Sequence, residues 1–175
     1  DYTVGQLGNY ALAATLPVSP ASSLYNESYA NQFKFSLNKV QEILANAGMK
    51  DYDGDGYLDI KNGETIVKID IDFLVYSGST VKVNTAKKFA EDMKSLGLKV
   101  TVNKQDWKTY CQLIEAGNYD MYYAEVRMNS DFDPSKLLFT SAMLNYGQFS
   151  DTGLEEAITT YLTADDDSRR TACDN

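Results

Sequence analysis

The stretch "VKIDIDFLVYSGSTVKVNTAKKFAEDMKSLGLKVTV", Val67 to Val102, decides the fold. Val67, Ile69, Ile71 and Phe73 alternate with Lys68, Asp70 and Asp72, the period of a half-buried strand. "SGST" breaks that run. Ala86, Phe89, Ala90 and Met93 then share one helical face, with Gly97 beyond its end. "LKVTV" returns to a strand. Strand, helix and strand in this order make a βαβ unit, whose two strands run parallel through a right-handed crossover.

The same reading extends outward. Upstream, Ser36 suits the N-cap of a helix carrying Leu37, Val40, Ile43, Leu44 and Ala47, with Gly48 as its stop. Downstream, Asp106 caps a helix in which Trp107, Tyr110, Cys111 and Ile114 form one apolar stripe, ended by Gly117. Cys111 reads there as a packed core thiol. "YDMYYAEVRM", 119–128, is a further strand, and Asp133-Pro134 punctuates before a short helix around Lys136–Phe139. Thr152-Gly153-Leu154-Glu155 has capping-box form and opens a helix through Leu162. "ADDDSRRTACDN" sets acidic residues before another helical start, where they suit the dipole. Residues 1–32, with two of the three prolines, read as an extended arm. The expectation is an α/β fold: a single domain over 1–175 with a mixed twisted sheet, βαβ units and flanking helices.

Composition narrows the function. A chain of 175 residues is long enough for one domain with a real core. Its net charge of −9 disfavours nucleic acid and anionic membrane surfaces, which call for a Lys/Arg excess. Histidine is absent, so Ser-His and Cys-His nucleophile pairs and His-containing zinc sites are impossible. Cys111 and Cys173 lie far apart and form neither a disulfide framework nor a metal knuckle. No stretch is apolar enough to span a membrane. The carboxylates show no spacing that marks an acid/base pair, so no enzyme and no cofactor is expected.

The stretch "DYDGDGYLDI", Asp51 to Ile60, has the front half of a calcium loop. Asp51, Asp53, Asp55 and Asp59, with the backbone carbonyl of Tyr57, are the candidate ligands. The twelfth loop position is Asn62 rather than a bidentate acid, and a strand follows instead of a helix. The plainer expectation is a polar turn whose glycines take positive φ and whose aspartates bond the local backbone. A calcium-dependent structural or docking module is the alternative function.

The order of these motifs resembles a known family. "FSLNKVQEILANAGMKDYDGDGYLDIKNGETIVKIDI", "AKKFAEDMKSLGLKVTV" and "WKTYCQLIEAGNYDMYYAEVRMNSDFDPSKLL" are similar, in sequence order, to extracellular solute-binding proteins of the peptide/nickel ABC-transporter family (family 5, oligopeptide/dipeptide type). The resemblance implies a fragment of one lobe, part of the C-terminal lobe, of a two-lobed periplasmic-binding-protein-like clamp. It implies capture of a solute, an oligopeptide first, and delivery to ABC permease membrane subunits. It also implies an extracellular, cell-surface lipoprotein of a Gram-positive organism (periplasmic if Gram-negative), tied to the membrane only through a lipid anchor absent from this chain.

The resemblance also points to cleft residues. Counted back from Pro134, the family's cleft tryptophan falls on Arg127, and the acid that can hold a peptide's amine falls on Ser130. Both depart from the pattern, and Asp131 is the neighbouring acid. If Arg127 faces the cleft along a strand, Glu125 and Tyr123 share that face, while Tyr122, Ala124, Val126 and Met128 take the core side. Tyr123, Glu125, Arg127, Ser130 and Asp131 are the expected ligand-binding residues.

Overall fold

A computed structural model describes residues 5, 7, 8 and 10–174. The chain divides into two compact units where the sequence suggests one domain. The first spans Phe35–Ala124. The second joins Gly8–Lys34 to the segment from Glu125 onward.

The first unit opens with helix α1, Leu37–Asn46, capped by the Ser36 hydroxyl, which accepts the Lys39 N–H. Its apolar face is not buried as its spacing suggests: Leu37 and Ile43 remain exposed. A short hairpin follows, β1 (Asp59–Asn62) antiparallel to β2 (Thr65–Lys68). Its loop is Gly63-Glu64, with Gly63 at φ 61°, the glycine-first arrangement of a type II′ turn. The alternating run from Val67 is therefore two strands. The chain breaks at Ile69, and β3, Asp70–Tyr76, begins a separate sheet.

That sheet has strand order β4-β3-β5, with β4 at Lys99–Gln105 and β5 at Met121–Tyr123, both parallel to β3. Helix α2, Thr80–Ser95, connects β3 to β4, and α3, Trp107–Ala116, connects β4 to β5. The α/β class with βαβ units holds, and the antiparallel and parallel pairings lie in separate sheets. Leu74 and Val75 in the middle strand are fully buried. Phe73, Val75 and Ala86 form a core cluster with Val83, Phe89, Val100, Val102, Met121 and Tyr123 packed against it. Phe73 meets Phe89 edge-to-face at 5.6 Å.

β5 is much shorter than the strand expected over 119–128. The register explains this. Tyr123 pairs with Val75, and β3 ends one residue later at Tyr76 before the chain turns into α2. Beyond Tyr123 only Tyr76 remains of the neighbouring strand.

The second unit holds one-turn helices at Glu27–Ala30 and Ser135–Leu138 and the longer helices α4, Thr152–Thr163, and α5, Arg169–Asp174. Asp151, not Thr152, caps α4, its carboxylate accepting the Leu154 N–H at 2.9 Å. Glu155 is thereby free to accept from Thr140, through the backbone N–H at 2.5 Å and the hydroxyl at 2.6 Å. These bonds hold the Glu155 carboxyl below the usual range. The proline-rich arm folds onto the chain's later part: Asn26 donates to Asp174 at 3.0 Å, and Arg170 donates to the Ser23 carbonyl. Val18, Ile158 and Tyr161 are buried around an apolar recess of about 220 Å³.

Candidate functional site

Open parallel sheets bind ligands at the carboxyl ends of their strands, where connections leave in opposite directions. β3 lies between β4 and β5, so its carboxyl end is that place in the first unit. Three aromatic rings gather there. Tyr76, the last residue of β3, stands edge-on to Trp107 at 5.3 Å, and Trp107 stacks on Tyr110 at 5.6 Å. Tyr110 is buried, and its hydroxyl donates to the Tyr123 carbonyl at 2.9 Å, pinning the end of β5. Trp107 is 60% exposed. It does not complete the apolar stripe expected for α3; instead it lies on that shelf with one face open.

The backbone supports this arrangement. Asp106 caps α3, accepting the N–H groups of Lys108 and Thr109 and the Thr109 hydroxyl at 2.7 Å. The Thr109 contacts hold the Asp106 carboxyl below its ordinary range. The Tyr76 ring lies across Gly78, where a β-carbon would sit 2.2 Å from the Tyr76 hydroxyl oxygen. Only glycine fits at that turn with the ring in this position. The opposite, amino-terminal end of the sheet is closed by polar pairs. Lys99 meets Asp70 at 2.5 Å, Asn103 donates to Asp72 at 3.0 Å, and the Asp120 carboxylate accepts the Asp72 N–H at 2.8 Å.

The residues expected to bind ligand are not gathered on one strand face. Tyr123 is half-buried on the core side, packed with Met121 against the Phe73 cluster, so the expected division of faces is reversed at this point. Tyr122 lies on the other side and meets Tyr119 edge-on at 4.9 Å. The reason is pairing: Val75 is a core residue, and its partner Tyr123 shares its face. In the second unit Glu125, Arg127 and Ser130 are exposed and lie outside any strand. Asp131 is half-buried, its backbone carbonyl accepting from the Tyr161 hydroxyl, and its Oδ1 is buried without a hydrogen-bond partner.

The Asp/Gly loop is built by its own side chains. Asp51 accepts the N–H of Gly54 at 2.7 Å and of Gly56 at 2.9 Å. Asp53 accepts from Asp55, and Asp55 from Tyr57 at 2.9 Å. Gly54 and Gly56 take φ of 81° and 89°, which glycine adopts at no steric cost. The loop's ends are bridged, Lys50 and Asp59 exchanging backbone hydrogen bonds at 2.9 and 3.1 Å. The polar turn expected here is what forms.

Comparison with known proteins bears on all of these residues. Residues 4–147 match the profile of the bacterial extracellular solute-binding proteins, family 5, over its middle region. The oligopeptide-binding protein AppA of Bacillus subtilis is 30% identical over 108 residues, which cover 61% of this chain and 19% of that protein. Among solved structures, the periplasmic oligopeptide-binding protein of Thermotoga maritima bound to mannohexaose superposes with a TM-score of 0.84 at 18% identity. That alignment covers 98% of this chain and 35% of the other. NikZ of Campylobacter jejuni, in complex with Ni(L-His), superposes at 0.77 with 19% identity over 99% of this chain and 36% of that one. The chain thus spans about a fifth of the curated relative and about a third of the solved ones.

Proposed function

Because the chain belongs to the bacterial extracellular solute-binding proteins, family 5, we propose that it is part of the ligand-capturing subunit of an ABC importer. It takes an oligopeptide outside the cell and hands it to the permease subunits; ATP is hydrolysed elsewhere, and the work is binding without covalent chemistry. The subunit is a surface lipoprotein, this chain contributing part of the C-terminal lobe. Among the described residues no helix is long and apolar enough to cross a membrane.

The observation that carries the peptide reading is Asp131. It adjoins Ser130, the position that corresponds to the family's amine-holding acid, and its Oδ1 lacks a hydrogen-bond partner. A buried carboxylate oxygen left unpaired is costly, and an ammonium group answers it once Asp131 turns that oxygen outward to the ligand. Glu125 and Arg127, exposed on the same irregular segment, supply an acceptor and a donor for a peptide backbone or carboxylate. Tyr123 contributes through its backbone, held by Tyr110, more than through its half-buried ring.

Isothermal titration calorimetry of the full-length gene product tests this, with short peptides, their N-acetylated forms, an oligosaccharide and nickel–histidine. Binding of peptides that is lost on N-acetylation and weakened roughly tenfold or more by Asp131→Asn supports the reading. Binding of the oligosaccharide or nickel–histidine alone would overturn it.

A further inference from the structure

Oxygens of Asp53, Asp55 and Asp59 that the loop does not spend on its own backbone converge on one point. Asp53 Oδ2 and Asp55 Oδ2 lie 2.5 and 2.6 Å from the Lys68 ammonium, which reaches over from β2. Asp59 Oδ1 lies 3.5 Å from the same nitrogen. One oxygen each of Asp51, Asp53 and Asp59 fall within 4.8 Å of one another. Oxygens coordinated to calcium at about 2.4 Å stand at most about 4.8 Å apart, so this set fits round a single ion.

Lys68 does not complete the site. It brings one positive charge to the carboxylates of Asp53, Asp55 and Asp59. Asp59 is fully buried, and its Oδ1 has no hydrogen-bond partner; the ammonium at 3.5 Å is beyond good hydrogen-bond range. Asp59 Oδ2 accepts the Tyr52 N–H at 3.4 Å, which leaves Oδ1 as a buried carboxylate oxygen with no hydrogen bond, and such an oxygen is costly and calls for a cation. Lys68 itself is half-exposed and can swing out to water. The donor set is all oxygen, with neither nitrogen nor sulfur, which selects a hard cation. Several carboxylates on a loop fixed by hydrogen bonds suit calcium, whereas magnesium keeps most of its waters. The twelfth-position acid of an EF-hand is missing, and the buried Asp59 at the ninth position supplies the inner carboxylate in its place.

We propose that the loop Asp51–Asp59 is a calcium site, with Asp51, Asp53, Asp55 and Asp59 as ligands and the Lys68 ammonium in the ion's place when calcium is absent. Its affinity falls in the weak range of extracellular modules, Kd about 10⁻⁴ M. The ion locks the connection between α1 and the β1–β2 hairpin. The site is independent of the solute-binding reading and stands or falls without it.

Terbium luminescence sensitised by Tyr52 and Tyr57 tests it directly on the full chain. Saturable one-to-one emission is expected, displaced by calcium but not by an equal concentration of magnesium. Asp53→Asn combined with Asp55→Asn, both at exposed positions, weakens binding by roughly tenfold or more through loss of ligand charge. Lys68→Ala tightens binding by a similar factor, because the competing ammonium is gone. Circular dichroism confirms that these variants fold. Absence of saturable emission, displacement by magnesium as readily as by calcium, several weak sites, or unchanged affinity in the Asp53/Asp55 double variant would overturn the proposal. Weaker binding in Lys68→Ala would overturn the role given to the lysine.

Discussion

Two irregular stretches of this chain are both rich in polar side chains and are put to opposite uses. In the loop Asp51–Asp59 the carboxylates are turned inward and bond the backbone of their own loop. In the segment Ala124–Ser130 the side chains of Glu125, Arg127 and Ser130 face water. The first stretch specifies its own shape from nearby residues. The second begins where β5 ends at Tyr123, and its polar side chains are exposed. Polar residues bonded to their own backbone build the loop; exposed polar residues outside any strand are set at the surface.

Substitutions should separate the two stretches by size of effect on stability. Asp51→Ala removes two backbone hydrogen bonds of 2.7 and 2.9 Å to a charged acceptor. It should destabilise the chain by about 2–3 kcal/mol in urea unfolding, measured in EDTA so that no metal contributes. An effect no larger than that of a surface substitution would mean the loop is held from elsewhere. Gly56→Ala places a β-carbon at φ 89°, with open space around it, so only backbone strain is added. About 1–2 kcal/mol is expected. Glu125→Ala and Arg127→Ala should change stability by less than about 0.5 kcal/mol each. A larger loss would show that the second stretch is structural too, and the contrast would fail.

Acid distinguishes the stretches as well. The hydrogen bond from Lys68 holds the Asp55 carboxyl below its ordinary value, and the one from Lys99 does the same for Asp70. A carboxyl depressed in the folded state adds stability above its unfolded value of about 3.9, which is lost as pH falls through the lowered one. Melting temperature should therefore decline below about pH 4. In Lys68→Ala the part due to Asp55 should be missing, a small change that a series of melts across that range would reveal.

Much of the fold is legible in the sequence. Ser36 and Asp106 cap the helices they are expected to cap, because each has a short oxygen side chain one residue before an apolar-periodic run. The βαβ order follows from the switch between periods of two and 3.6. The hairpin is harder to see. Its Asn62-Gly63 signal was present, but the alternation from Val67 to Phe73 runs without a break across two strands in different sheets. Only backbone pairing reveals the division at Ile69. Likewise, alternation alone gives the two faces of β5 without saying what each packs against. The register sets Tyr123 beside Val75, on the face of the Phe73 cluster, and Tyr122 beside the equally buried Leu74. Trp107 has the spacing of a core residue and sits at the first turn of α3, where nothing covers its outer face. Its place on the shelf depends on Tyr76, a residue distant in sequence.

The central proposal is solute capture, and its most direct test is the affinity of the full-length protein for a short peptide with a free amine. Calorimetry on the wild type, Asp131→Asn and Arg127→Ala should give saturable binding that each substitution weakens, Asp131→Asn by roughly tenfold or more. Peptide binding with the same affinity in all three proteins, or none in the wild type, would contradict it.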